Sequence, residues 1–112
     1  MRLTNKKLLE KVKRKNRGNV LLIEAINQLI EDIETSDWPS IPFLLEKRND
    51  ADLVHRDGFF FFDIHAHRAM VLIEFKELEA TVVWAGNHQE YEAIFKNNTN
   101  TIRSWLRSKG WI

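Results

Sequence analysis

Three side chains in this sequence are of the types needed to move protons and hold a phosphate: Arg68, His88 and Tyr91. His88 and Tyr91 are three residues apart, so on a helix they project from the same side. His88 follows Asn87, and Glu90 lies three residues after that asparagine. This is the spacing of a capping box, with Asn in place of the usual Ser or Thr. His88 is thereby set at the first position of a helix, where free N–H groups and the positive end of the dipole make a seat for an anion. The dipole disfavours a protonated imidazole there, whereas a bound phosphate favours one. With a fixed arginine nearby, the set supplies what RNA cleavage by its own 2′-hydroxyl requires. That chemistry needs a base for the hydroxyl, positive charge at the phosphate and an acid for the leaving oxygen, and it needs no metal. The plainer alternative is that His88 merely starts a helix, Tyr91 fills the core and Arg68 pairs with Glu74 or Asp63.

Other chemistry is thinner. His65 and His67 are two apart and would point the same way in an extended segment, but His55 and His88 are remote and no HExxH-like spacing is present. A metal hydrolase built on the two turn histidines is the third reading, and no metal site is expected. The absence of cysteine excludes a disulfide framework, a thiol nucleophile and thiolate metal sites. The run Phe59 to Phe62 and the four tryptophans offer faces for stacking on unpaired bases. Alternation sends half of the phenylalanines to the core, leaving Phe59 or Phe61 for that use.

The elements that must position these groups run from Phe59 to Phe95. Phe59 to Ile64, Arg68 to Phe75 and Thr81 to Gly86 read as three strands joined by short turns, which predicts an antiparallel meander. In the middle strand Ala69, Val71, Ile73 and Phe75 form one apolar face. Arg68, Met70, Leu72 and Glu74 form the other, which is expected to be partly open to solvent. Helix follows from His88 to Phe95. A last helix capped by Thr99 places Ile102, Trp105 and Leu106 on one face and Arg103 with Arg107 on another.

Upstream, Met1 to Leu3 suits a short edge strand. Thr4 is a plausible cap for a helix from Asn5 to Lys15, and Gly18 suits its C-terminal turn. Leu22, Ile26, Leu29, Ile30 and Ile33 repeat at the helical period and predict a helix over Asn19 to Thr35 lying on the Val71/Ile73 face. Pro39 and Pro42 end it. Phe43 to Asp57 lacks a pattern and is expected to be a loop. At 112 residues, 44% hydrophobic and 29% charged, the chain makes one domain, 1–112. No stretch suits a signal peptide or a membrane span, so a cytoplasmic protein is expected.

The formal net charge of +1 hides an asymmetry. Residues 1–17 carry Arg2, Lys6, Lys7, Lys11, Lys13, Arg14, Lys15 and Arg17 against Glu10 alone, and an acidic stretch follows to Asp52. Such a basic end either binds a polyanion such as RNA or is a solubilising helix face.

Phe62-Asp63-Ile64, Arg68-Ala69-Met70-Val71 and Asn87-His88-Gln89-Glu90-Tyr91-Glu92, following a helical hairpin, resemble the HigB-type toxins of bacterial toxin–antitoxin pairs. The resemblance spans Arg2 to about Lys96, and His88 to Tyr91 is its most specific segment. It implies an α+β, RelE-like fold: an N-terminal helical hairpin packed on one face of a small, mainly antiparallel sheet, with a C-terminal helix. It implies a ribosome-dependent endoribonuclease, an mRNA interferase without a cofactor. It also implies a cognate helix-turn-helix antitoxin (HigA-like), through which alone DNA is bound. Arg68 would then stabilise the scissile phosphate, His88 would act as acid or base, and Tyr91 would position the substrate or assist proton transfer. Such toxins often carry a further arginine on a later strand, but Thr81 to Gly86 has none. Arg56, Lys76 or Arg107 would have to supply that substrate contact. Lys6, Lys7, Lys11, Lys13 and Arg14 would hold ribosomal RNA. The competing reading is a non-catalytic RNA- or protein-binding module on the same scaffold.

Overall fold

In the computed structural model, which describes residues 1–112, the alternating stretches of the sequence form the middle of one sheet. In chain order the elements are β1 (Arg2–Thr4), α1 (Lys7–Lys15), α2 (Val20–Glu34), α3 (Ile41–Lys47), β2 (Asp52–His55), β3 (Phe59–Asp63), β4 (His67–Glu74), β5 (Glu79–Asn87), α4 (His88–Phe95) and α5 (Thr99–Ser108). The strands lie in the order β1-β5-β4-β3-β2. β2 to β5 pair antiparallel in sequence order, and β1 runs parallel to β5 with Leu3 opposite Ala80.

The chain opens on an edge strand, as expected of Met1 to Leu3, so the helical hairpin that the resemblance implied is not its N-terminal element. Thr4 belongs to that strand. Its hydroxyl donates to Ala80 O at 3.3 Å and lies 3.1 Å from the Thr81 hydroxyl, so it is not free to cap α1, which starts at Lys7 without a side-chain cap. Asn19, by contrast, caps α2 by accepting from Leu22 N. Similarly Asn98, not Thr99, caps α5, its side chain accepting from the N–H groups of Asn100 and Thr101.

Two cores flank the sheet. On one side Phe60, Phe62, Val71 and Ile73 pack against the apolar stripe of α2, namely Leu22, Ile26, Leu29 and Ile33, as the helical period predicted. Each such fully buried aliphatic side chain contributes about 1.5–3 kcal/mol. On the other side Phe59, Phe61, Met70 and Val83 pack against Tyr91 and Phe95 of α4 and Ile102 and Leu106 of α5. The second face is therefore closed, and helices lie on both faces of the sheet. The reason is in the strands: Phe59, Phe61 and Met70 all point to that face, and a face so apolar is not stable in water. Phe59 and Phe61 are 1% and 0% exposed, so neither is free to stack on a base.

Phe43 to Asp57 is not a loop. Pro42 sits in the first turn of α3, where its missing N–H is no loss. Leu44 anchors that short helix in the core, and β2 adds an edge strand with Leu53 opposite Phe60. Both elements are short and half exposed, so neither leaves a periodic pattern.

Candidate active site

β4 begins at the end of the sheet where β5 passes directly into α4, and that junction collects the reactive groups. Arg68 has Asp63 and Gly86 beside it on the neighbouring strands. Gly86 has to lack a side chain, since a Cβ there would lie 2.6 Å from the Trp84 ring. Arg68 Nε donates to Asp63 Oδ1 at 3.1 Å. Its guanidinium lies 4.7 Å from the centre of the Tyr91 ring and 5.2 Å from that of Phe61. The salt bridge thus uses the inner nitrogen, and the outer pair has no carboxylate partner within the protein. Arg68 is held, stacked and still able to bind an anion with its fork.

The capping box forms as the sequence indicates. Asn87 Oδ1 accepts from Glu90 N at 2.8 Å, and Glu90 Oε1 accepts from Asn87 N at 2.9 Å. His88 is therefore the first residue of α4. Its ring stacks on that of Tyr91 at 5.8 Å with 24° between planes, and Nε2 lies 3.6 Å from Glu92 Oε1. The imidazole is 66% exposed, while Tyr91 is 2% exposed and fills the core as well as lining the site. The Tyr91 hydroxyl donates to Asn97 Oδ1 at 2.9 Å. Asn97 presents that oxygen from a left-handed backbone, φ +47°, which asparagine tolerates better than most residues. Arg68, His88, Tyr91, Glu92 and Asn97 border one open cavity of about 640 Å³, together with Asp63 and the His65–His67 turn.

Burial pushes the Tyr91 phenol above its ordinary pKa, and the Arg68 guanidinium pulls part of the way back. The phenol is a neutral donor at physiological pH. Because the folded state holds this proton more tightly than the unfolded chain, the associated stability is fully present below the ordinary phenol range and lost as pH rises through the raised value. Tyr91 is the chain's one tyrosine, so tyrosinate absorbance reports it alone. Its titration is expected above that of free tyrosine and higher still in Arg68→Ala. A midpoint at or below the free value would remove the desolvated phenol from the picture.

The remaining predicted residues are distributed elsewhere. Arg56 and Arg107 are not in this cavity; with Arg103 they line a second cleft. Lys76 sits in the turn beyond the far end of β4 and lines neither. Of the α1 cations, Lys6 pairs with Glu34 at 3.0 Å and Lys13 with Glu10 at 3.2 Å. Lys7, Lys11 and Arg14 are exposed and unpaired. Lys11 shares with His67 a smaller groove of about 360 Å³ beside the cavity. His65 lies in a left-handed turn, and no group of three His, Asp or Glu side chains is placed to hold a metal ion. Glu92 and Asn97 are site residues to which the sequence reading gave no role, whereas Asp63 was named there as a partner for Arg68. Asp63 had a signal, since a strand-turn-strand with Arg68 starting its return places the two opposite each other. Asn97 had none, because its place depends on how α4 ends.

Comparison with functionally curated proteins finds no match. A family model does match, over residues 23–94, from α2 to the last turn of α4. That span holds Arg68, His88, Tyr91 and Asp63 and leaves β1, α1 and α5 outside. The chain therefore belongs to the HigB toxin family, the RelE-like toxic components of toxin–antitoxin systems.

Proposed function

We propose that this toxin is a metal-independent endoribonuclease that cuts messenger RNA on the translating ribosome and so stops translation in the cytoplasm. The observation that carries the reading is the meeting of Arg68, His88 and Tyr91 at one helix start, in a cavity open to solvent. In the reaction the substrate's 2′-hydroxyl loses its proton to a base and attacks the adjacent phosphorus. The 5′-oxygen leaves and takes a proton from an acid, giving a 2′,3′-cyclic phosphate and a 5′-hydroxyl. His88 is the proton-transfer group, free to turn and placed where backbone N–H groups favour a phosphate. Arg68 stabilises the charge that develops on the phosphate. Tyr91, on the cavity wall, positions the substrate or assists proton transfer. Lys7, Lys11 and Arg14 hold ribosomal RNA by salt-sensitive contacts, with Lys6 and Lys13 contributing where their ion pairs open. The antitoxin partner that the family carries is taken to be a helix-turn-helix protein of the HigA type, with DNA bound only through it.

A non-catalytic binding module on the same scaffold is favoured by one feature: β5 brings no further cation to the site. Induced expression of the wild type and of His88→Ala, with 5′-end mapping of transcripts, separates the two. New cuts inside translated messages are expected with the wild type and not with the variant. Purified toxin on ribosomes is expected to keep cutting in the presence of chelator. A soluble, folded wild type that makes no cuts and slows no growth would leave the binding module standing.

A further inference from the structure

The segment after the family match is as basic as the first helix. Residues 96–112 contain Lys96, Arg103, Arg107 and Lys109 and no Asp or Glu. Arg103 and Arg107 stand one turn apart on α5, about 6 Å along its axis. With Arg56, from the turn between β2 and β3, they face a cleft of about 650 Å³ between α5 and the β2–β3 hairpin. None of the three arginines makes an ion pair. Asp57 is the one acidic side chain in the lining, so three guanidiniums converging from two elements leave the cleft net positive and suited to a further anion.

The cleft begins where the catalytic cavity ends. Asn97 borders the cavity, and Thr99, two residues on, borders the cleft. From there α5 runs to the opposite end of β3, where Trp111 meets Phe59 at 6.4 Å. Its ten residues span about 15 Å. Arg103 and Arg107 therefore succeed one another along a path leading away from Arg68 and His88. Their spacing is comparable to one nucleotide step of an extended strand.

We propose that this cleft is the track for the RNA strand on one side of the scissile phosphate, with Arg103, Arg107 and Arg56 binding its successive phosphates. The proposal rests on the nuclease reading for its substrate. The lining favours RNA over a protein segment, because a peptide groove needs buried apolar anchors. Here the exposed charge dominates, and Leu53 and Ile112 are half open to water.

The test uses full-length His88→Ala, which holds RNA without cutting it, and a fluorescent single-stranded RNA longer than the cavity. Binding is followed against salt for this protein and for versions also carrying Arg103→Ala/Arg107→Ala or Arg103→Lys/Arg107→Lys. Losing two phosphate contacts is expected to lower the slope of log affinity against log salt by about 1.4, and affinity at 0.1 M salt by roughly 20-fold. The lysine pair is expected to restore most of the slope. With His88 intact, the alanine pair is expected to raise KM and leave kcat unchanged. Unchanged slope and affinity in a folded alanine variant would overturn the track. So would loss of binding to a polyglutamate peptide alone, which would reassign the cleft to an acidic protein segment. A changed slope in a wild type that never cuts RNA would sink the nuclease reading instead and leave an RNA-binding cleft.

Discussion

Arg68→Ala is expected to lower the rate of RNA cleavage by roughly 10²–10³-fold while leaving substrate affinity nearly unchanged. The expectation follows from how the side chain is held. Asp63 Oδ1 accepts a hydrogen bond from Nε at 3.1 Å, and the rings of Tyr91 and Phe61 support the plane, so the outer nitrogens are aimed before substrate arrives. A preoriented cation stabilises charge that grows in the transition state and does little for a ground-state phosphate. Arg68→Lys separates charge from geometry. It keeps the positive charge but loses the fork and the ring contact, and is expected to recover only a small part of the rate. Unfolding is not a rival explanation. Losing the ring contacts costs about 1 kcal/mol, and the partner left behind, Asp63, is 60% exposed and readily solvated. Combining Arg68→Ala with His88→Ala is expected to fall well short of the product of the single effects, because both act on one step. Single-turnover cleavage of a labelled message on ribosomes is the measurement. A rate within a few-fold of wild type for Arg68→Ala would remove Arg68 from the chemistry.

The parts of the fold and site that could be read from the sequence are those fixed by neighbours in the chain. The capping box that seats His88 is written within four residues, Asn87 to Glu90, and it formed as read. The stripe on α2 and the β3-β4-β5 meander likewise follow from local period and short turns. The parts that were not legible depend on distant partners. β1 is expected as an edge strand, but its partner is not: it pairs parallel with β5, more than seventy residues later. Both faces of the sheet are covered because α5 supplies a second apolar face, and Met70 gives no sign by itself of what covers it. The position of Arg56 teaches something narrower. In an antiparallel hairpin the start of one strand lies beside the end of the next. Arg56, which precedes β3, therefore belongs at the end of the sheet away from Arg68, which starts β4. Register alone separates them, whatever their charges suggest.

Arg48→Ala is expected to destabilise the fold by about 3–5 kcal/mol, the range for breaking a buried ion pair from one side. Asp32 is the polar group in the helix-side core, 7% exposed in its side chain. Arg48 joins it to two further groups. Its Nη1 lies 3.3 Å from Asp32 Oδ2, and its Nη2 donates to Asp50 Oδ2 at 2.8 Å and to Asp63 O at 3.2 Å. Asp50 Oδ2 also accepts from Asp63 N at 2.9 Å, so the backbone of Asp63 is gripped on both sides. Removing Arg48 leaves Asp32 with Gln28, at 2.8 Å, and Lys47, 3.9 Å away and 60% exposed. Lys47 can swing closer, which places the cost toward the lower figure. At about 4 °C per kcal/mol for a domain of this size, the midpoint of thermal unfolding should fall by about 12 °C. Removing both charges tells a different story. Arg48 Nε is buried with no acceptor, so the network carries a desolvation cost of its own. Arg48→Met with Asp32→Leu is therefore expected to be less destabilising than Arg48→Ala alone. Denaturant unfolding of the three proteins decides it. A loss below about 1 kcal/mol for Arg48→Ala would mean that water reaches Asp32. On the proposed nuclease reading the same network bears on the reaction, since Asp63 holds Arg68. At a temperature where Arg48→Ala is fully folded, its kcat should fall with KM unchanged, and an unaltered kcat would show that the Asp63–Arg68 pair holds its geometry without help from the core.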